Sequence, residues 1–166
     1  MKRFEEALKI DEQLENLSGK AVRHNNIGMV HEAKGNYDKA LEQYERALKL
    51  NEQLDDLWRK ATVLNNIGMI HKIQRDYSEA FKWYEKALEI DEQLGDMSGR
   101  AMRLNNIGMV CKAMGRYTDA LKYCEEALNI LRELGLNETR RAAPYKKNIE
   151  NLKDLLFTQD IKKKLK

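Results

Sequence analysis

The sequence is poor in the residues that interrupt helices and in the cysteines that stabilise small secreted domains. It has 1 proline, 2 cysteines and 7% aromatic residues in 166. Two cysteines, Cys111 and Cys124, cannot form a disulfide framework, which favours a reducing compartment. The segment MKRFEEALKIDEQ lacks the apolar centre of a signal peptide, and no run reaches the roughly 18 apolar residues of a membrane helix. We therefore expect a cytoplasmic protein with no membrane partner.

An excess of one charge sign is also missing. The formal net charge is +3, and Lys162, Lys163, Lys164 and Lys166 carry four of the positive charges. The rest of the chain is therefore close to neutral, whereas a nucleic-acid-binding protein carries a basic face on its folded part. We expect no nucleic-acid partner, and we interpret residues 159–166 as a solvated basic tail.

The residues that are abundant favour a folded helical chain. Hydrophobic residues make up 42% and charged residues 34%, unlike the composition of a disordered protein. Ala, Leu, Glu and Lys, which favour helix, are frequent, and no segment shows the alternating pattern of a β-strand. This composition predicts an all-α fold.

The sequence repeats itself with a period of 40 residues. The motif NNIGM occurs at 25–29, 65–69 and 105–109, and related segments beginning YDKAL, YSEAF and YTDAL follow each copy. Each repeat holds two segments whose apolar residues recur every three or four positions, as on one face of a helix. Short breaks such as KGNY and QRDY separate the two segments. Each repeat is therefore predicted to be an antiparallel helix hairpin.

This pattern predicts about eight helices, at residues 2–15, 18–34, 37–55, 58–74, 77–95, 98–114, 117–134 and 139–157. The complete repeats are 17–56, 57–96 and 97–136, flanked by a half repeat at 1–16 and a capping helix within 137–158. Gly95 and Gly135 are expected to take the left-handed conformation that ends a helix. Beyond Gly135 the register decays: Tyr145, Lys146 and Asn148 take the positions of the two asparagines and the glycine, as expected of a capping helix. Pro144 can either open that helix or kink it.

Gly28, Gly68 and Gly108 stand in the middle of predicted helices. A glycine there costs roughly 1 kcal/mol relative to alanine, so its recurrence needs a structural reason. The partner segment presents small residues such as Ala40 and Ala47. We therefore predict a close approach of the two helix backbones within each hairpin.

These residues resemble the tetratricopeptide repeat, in which Leu-Gly precedes a small residue, an aromatic residue and a second small residue. In the first repeat the matching residues are Ile27, Gly28, Ala40, Tyr44 and Ala47. The resemblance covers about residues 1–135. The proline that commonly ends the second helix is absent, and the longer repeat is similar to those of kinesin light chains and of GoLoco-containing G-protein regulators.

The resemblance implies a right-handed α-solenoid, formed as a single domain over residues 1–166. It also implies an adaptor that binds a peptide or helix of another protein. In this family the first helix of each hairpin lines the concave surface. The positions that correspond here, and that we take as peptide-binding, are Asn25, Asn26, Met29, Glu32, Thr62, Asn65, Asn66, Met69, Lys72, Met102, Asn105, Asn106, Met109 and Lys112.

The two asparagines of every repeat form two columns, the first at Asn25, Asn65 and Asn105 and the second at Asn26, Asn66 and Asn106. Asparagine is unfavourable inside a helix, so each column needs a compensating role. An amide can pair with the backbone of a bound peptide, or it can join neighbouring helices of the scaffold. We expect one column to serve the ligand and the other the scaffold. Lys72 and Lys112 beside them favour acidic peptides.

Residues that suggest chemistry have simpler explanations. His24, His31 and His71 fall on the apolar stripe without further clustered ligands, which favours packed neutral histidines over a metal site. Cys111 and Cys124 fall on the same kind of stripe, which favours buried thiols. Phosphate-binding loops, nucleophile elbows and separated acid pairs are missing, so we predict no enzymatic activity, cofactor or metal.

Two alternatives to an adaptor stay open. The chain starts with a second-type helix and ends with a first-type helix, so its ends can join between molecules and produce head-to-tail self-association. It can also be a regulatory part of a longer multidomain protein. Trp58 and Trp83, which replace small or polar residues of the other repeats, can mark a contact surface.

Overall fold

A computed structural model describes residues 2–164, with side chains described for residues 3–162. Within this range the chain forms eight helices and no strand. The helices are α1 (Lys2–Gln13), α2 (Leu17–Ala33), α3 (Tyr37–Gln53), α4 (Leu57–Ile73), α5 (Tyr77–Leu94), α6 (Met97–Ala113), α7 (Tyr117–Glu133) and α8 (Ala143–Lys164). The all-α prediction is confirmed, and the first seven predicted helices match closely. No helix of residues 2–164 combines the length and apolar character that crossing a membrane requires.

The last helix differs from its prediction. Turns occupy the segment before Ala143, where the Thr139 hydroxyl donates to the Leu136 carbonyl at 2.6 Å, so α8 starts later than residue 139. Pro144 is the second residue of α8 and opens the helix, as its fixed φ and missing N–H allow. Neither glycine nor proline follows, so α8 runs on to Lys164 through most of the stretch interpreted as a tail. Lys166 lies outside the described residues.

Tertiary contacts divide the chain into two units, Met1–Asp76 and Tyr77–Lys166. In the first unit α1 packs against α2, α2 against α3, and α3 against α4. In the second unit α5 packs against α6, α6 against α7, and α7 against α8. Short loops make successive helices of each unit antiparallel. The unit boundary falls inside the predicted repeat 57–96, and a single solenoid over 1–166 stays a prediction.

Each loop joining these helices contains one residue with positive φ. These residues are Glu15, Gly35, Asp55, Arg75, Gly95, Gly115 and Gly135. At the end of α2, the Gly35 N–H donates to the Glu32 carbonyl at 2.8 Å and the Asn36 N–H to the His31 carbonyl at 2.9 Å. This pattern satisfies the last carbonyls of the helix. The predicted left-handed conformation is confirmed at Gly95, with φ of 66°, and at Gly135, with φ of 70°.

The helix glycines make room for buried atoms of the partner helix. A Cβ on Gly108 would lie 2.6 Å from Cys124 Sγ and 3.0 Å from the Ala120 carbonyl oxygen. The predicted close backbone approach is therefore confirmed at Gly108. At Gly28 a Cβ would first meet a side chain, 2.6 Å from the ring of the fully buried Tyr44, so the backbone approach stays a prediction there.

We expect Gly108→Ala to lower the free energy of unfolding by about 1–2 kcal/mol. Overpacking by one methyl group typically costs about 1–3 kcal/mol, and the gain in helix propensity returns up to about 1 kcal/mol. In a Cys124→Ala background the same substitution should cost less, because the contact with Sγ is gone while the contact with the Ala120 carbonyl stays. Urea unfolding followed by circular dichroism measures both values. A Gly108→Ala protein more stable than the wild type would contradict the close approach.

Candidate functional site

The residues predicted to bind a peptide lie on α2, α4 and α6, and all of them are half-buried or exposed. Met29 and Met102 have exposed fractions of 51% and 44%. Neighbours such as Ile27 and Ile107 are buried instead. Each of the three helices therefore has one accessible side that carries the predicted set.

In the first unit, asparagines of both columns take part in one contact between helices. The Asn66 amide on α4 donates to the Asn25 Oδ1 on α2 at 3.1 Å. The Asn25 amide in turn lies 3.7 Å from the Met29 sulfur, and the Asn65 amide donates to Asn66 Oδ1 at 3.4 Å. The first and second columns thus cooperate in holding α2 and α4 together.

The second unit repeats this contact with a residue that the sequence analysis placed differently. The Asn148 amide on α8 donates to Asn105 Oδ1 on α6 at 3.0 Å. The paired asparagines are 41 residues apart in the first unit and 43 apart in the second. Asn148 therefore takes the role of a second-column asparagine and not the glycine position that a strict 40-residue period assigned to it. The register of α8 is therefore offset by two residues from that of α4.

The scaffold role is therefore not confined to one column. An asparagine side chain has two N–H donors and a carbonyl oxygen with two lone pairs, and one helix-to-helix bond uses only part of this capacity. Asn25, Asn66 and Asn105 are half-buried and keep a face open to solvent. The same amides can join helices and still contact a ligand.

Glu32 already has a partner inside the scaffold. The Tyr44 hydroxyl on α3 donates to Glu32 Oε2 at 2.6 Å. Burial of the phenol, and then this bond to Glu32, raise the pKa of Tyr44 far above its ordinary value. The hydroxyl thus stays protonated and ties α2 to α3, so Glu32 contributes to the hairpin as well as to the predicted lining.

His24 and the two cysteines are packed inside the protein. His24 is buried, with Nδ1 2.8 Å from Gln43 Oε1. Cys111 and Cys124 are free and fully buried in one core cluster, as predicted. Burial, and secondarily the neighbouring Cys111, raise the pKa of the Cys124 thiol to about 11, so this thiol packs as a small apolar group. Among residues 3–162, no three His, Cys, Asp or Glu side chains are grouped closely enough to hold a metal ion.

The two tryptophans differ in solvent exposure. Trp58 on α4 has an exposed fraction of 63%. Trp83 on α5 is half-buried, and the Lys86 ammonium lies 4.4 Å from the centre of its ring. Trp58 therefore offers the larger free aromatic surface.

Trp58 borders a pocket of about 240 Å³ in the first unit that the sequence analysis did not anticipate. Asn51 of α3 reaches the pocket with an exposed fraction of 1%, and its Oδ1 has no hydrogen-bond partner. The other lining residues are Ala21, Val22 and Asn25 of α2 and Arg59, Thr62 and Val63 of α4. Comparing the repeats position by position could have found this site, because Asn51 and Val63 break the pattern of the neighbouring repeats.

In those neighbouring repeats an ion pair occupies the corresponding positions. Arg23 Nε lies 3.2 Å from Asp11 Oδ2, and Arg103 Nε lies 3.2 Å from Asp91 Oδ2. The second pair is almost entirely buried. Burial raises the pKa of the Asp91 carboxyl to about 6, although the positive charge of Arg103 opposes this shift. Each of these carboxylates is paired with an arginine of opposite charge, whereas Asn51 faces the shorter Val63.

Comparison with known proteins identifies the repeat. The family model of the tetratricopeptide repeat matches residues 1–53, 21–93 and 59–133. No curated protein sequence matches the chain significantly.

Solved structures share the fold. BtubC (BKLC) from P. vanneervenii has a TM-score of 0.73 and 24% identity, over 91% of this chain and 68% of that chain. The N-terminal domain of stress-induced protein-1 (STI-1) from C. elegans has a TM-score of 0.65 and 16% identity, over 83% and 98%. The Sgt2 TPR domain from Aspergillus fumigatus has a TM-score of 0.67 and 17% identity, over 85% and 82%. At these identities the likeness shows the fold alone.

Proposed function

This chain belongs to the tetratricopeptide repeat family, and we propose that it is an interaction scaffold that binds a peptide of a partner protein through the accessible sides of α2 and α4 in the first unit and of α6 in the second. The observation that supports the proposal is the accessible side of these helices, where amides with spare hydrogen-bonding capacity lie beside methionines. An amide can donate to and accept from a peptide backbone whatever the peptide sequence is. Methionine adapts its shape to different apolar side chains. The proposal assigns the chain no catalytic step and no cofactor.

The lysines of the same set favour an acidic peptide. Burial lowers the pKa of Lys72, since leaving water disfavours its charged form. Lys112 occupies the corresponding position on α6 and is also half-buried. A carboxylate of the ligand would restore a favourable environment for the Lys72 cation. A cytoplasmic location, which the two free cysteines favour, is part of the same proposal.

A displayed peptide library selected on the full chain tests the proposal. We expect selected peptides to bind less tightly, by about tenfold or more, to a Met69→Ala, Met109→Ala, Lys112→Ala variant, because the variant loses apolar contact and a charge-assisted bond at once. Fluorescence anisotropy with one selected peptide measures the dissociation constants. Asn105 is kept intact in this variant, since its loss would also break the bond to Asn148.

A control variant carries three substitutions spaced 40 residues apart, one each on α3, α5 and α7. Lys49→Ala, Glu89→Ala and Asn129→Ala all change exposed positions and should leave the dissociation constant within about twofold of the wild type. If the library yields no peptide, or if the control weakens binding as much as the first variant, the scaffold proposal is wrong. If the selected peptides contain no acidic residues, only the proposed preference for acidic peptides is wrong.

A further inference from the structure

Four departures from the repeat pattern meet at the pocket below Trp58. Trp58 and Arg59 stand where the positions 40 residues before and after hold a serine and a glycine, and Asn51 and Val63 stand where those positions hold an ion pair. All four middle residues line the same pocket. The residues 40 positions earlier are Ser18, Gly19, Asp11 and Arg23, and those 40 positions later are Ser98, Gly99, Asp91 and Arg103. Four scattered substitutions would not be expected to coincide in space, so these define a local site.

The pocket is the space that an arginine side chain fills in the other repeats. Arg23 and Arg103 reach across to their carboxylates, whereas Val63 ends after two methyl groups. The void beside Val63 has a volume of about 240 Å³. That is below the about 300–1,000 Å³ of sites for whole small-molecule ligands, and it suits a single side chain.

The buried amide of Asn51 indicates which group is missing. A buried polar atom without a hydrogen-bond partner is unfavourable, and Asn51 Oδ1 is such an atom. The corresponding Asp11 Oδ2 accepts a hydrogen bond from Arg23 Nε at 3.2 Å, and Asp91 Oδ2 lies 3.2 Å from Arg103 Nε in an ion pair. A ligand that brings one N–H or O–H donor into the pocket would satisfy Asn51.

The charges around the pocket favour a neutral ligand. Asn51 is uncharged, and the positive charge of Arg59 is matched by its ion pair with Asp56. A buried cation would therefore lack a counter-charge, which is costly. The remaining walls include Ala21, Val22 and Val63, and the exposed ring of Trp58 at the border can pack against another ring.

From these observations we infer that the pocket is a specificity site for a neutral aromatic side chain with one hydrogen-bond donor, of the phenol type. The donor bonds Asn51 Oδ1, the ring lies between the apolar walls, and Trp58 covers its edge. Because the aromatic side chain would belong to a bound partner protein, this inference rests on the proposed scaffold function. The bound peptide would need this aromatic side chain, a requirement that contacts with the peptide backbone alone would not impose.

Small probes test the pocket without any peptide. The full chain, labelled with ¹⁵N, is titrated with p-cresol and with toluene, which has the same ring and methyl group but no donor. We expect p-cresol to shift the amide signals of Ala21, Val63 and the Asn51 side chain. We also expect p-cresol to bind about 3- to 10-fold more tightly than toluene, the range that one hydrogen bond to a buried acceptor accounts for.

Two variants separate the donor from the cavity. Asn51→Leu removes the acceptor, so p-cresol should lose its advantage over toluene. Asn51→Asp combined with Val63→Arg copies the Asp11–Arg23 pair into the pocket, so neither probe should bind. Circular dichroism checks that each variant is folded. If the double variant does not fold, the comparison of p-cresol with toluene in Asn51→Leu tests the inference by itself.

Equal binding of the two probes to the wild type would overturn the inference, as would unchanged p-cresol binding to Asn51→Leu or to the folded double variant. Because the probes need no peptide, this result is independent of the library selection. If p-cresol binds as expected but the peptide library yields no ligand, the pocket inference is supported and the scaffold function is wrong. If the titration fails but the library yields peptide ligands, only the pocket inference is wrong.

Discussion

Replacing Arg103 with valine is expected to lower the free energy of unfolding by about 3–5 kcal/mol. The Arg103 and Asp91 side chains are exposed by only 6% and 2%, with 3.2 Å between Nε and Oδ2. Removing one member of a buried ion pair leaves the other charge without compensation, and that loss is typically of this size. Urea unfolding at pH 7.5, followed by circular dichroism, measures it.

In the first unit, one pair of positions that corresponds to Asp91 and Arg103 holds no ion pair. Asn51 and Val63 stand where Asp91 and Arg103 stand in the second unit. The double variant Asp91→Asn, Arg103→Val copies that arrangement and removes the buried carboxylate together with its partner. It should be more stable than Arg103→Val alone by at least about 1 kcal/mol, since a buried neutral amide costs less than a buried charge. A double variant no more stable than the single one would contradict this explanation.

The pH dependence gives an independent check. The pKa of Asp91 in the folded protein is about 6, above its ordinary value of 3.8, chiefly because burial disfavours the charged form. A raised carboxyl pKa means that the folded state holds the proton more tightly, so the contribution of Asp91 is most favourable below about pH 4 and declines as the pH rises to about 6. Without Arg103 the pKa rises further. The cost of Arg103→Val should therefore be smaller at pH 5 than at pH 7.5.

Replacing Leu152 with alanine is expected to destabilise the protein by about 2–5 kcal/mol. Leu152 of α8 is fully buried and belongs to the core cluster of the second unit, together with Ile107, Val110 and Cys111. Truncating a buried leucine loses its transfer free energy and leaves a cavity. The effect would show that α8 completes the apolar core of its unit.

Phe157 supplies the matched control on the same helix. Its exposed fraction is 69%, so Phe157→Ala should change the free energy of unfolding by no more than about 0.5 kcal/mol. Both variants are compared by urea unfolding under the same conditions. If Leu152→Ala were as mild as Phe157→Ala, α8 would not share the core of the second unit.

The asparagines show where sequence reasoning reached its limit. Their recurrence and their cost inside helices correctly indicated a compensating role. The partners could not be assigned, because they depend on the offset between helices joined by loops of different length. The Asn25–Asn66 pair spans 41 residues and the Asn105–Asn148 pair spans 43, so a period carried over unchanged misplaces Asn148 by two residues.

Gly28 and Gly108 show the same limit in the core. The sequence indicated that both positions need space, since glycine is unfavourable in a helix. It did not distinguish the two neighbours, the ring of Tyr44 at one and the Cys124 sulfur with the Ala120 carbonyl at the other. Which atom comes closest depends on how the side chains interdigitate, and the helix period carries no such information.

By itself the sequence determined the first seven helices and the loops between them, because 3.6-residue periodicity and turn residues act over a few neighbouring positions. Only the tertiary structure decided which amides pair, that α8 extends to Lys164 and carries the last asparagine of the series, and that Asn51, Val63 and Trp58 enclose one cavity. The reason is that such contacts join residues distant in the chain, whose distances are set by loop length and by the packing of whole helices.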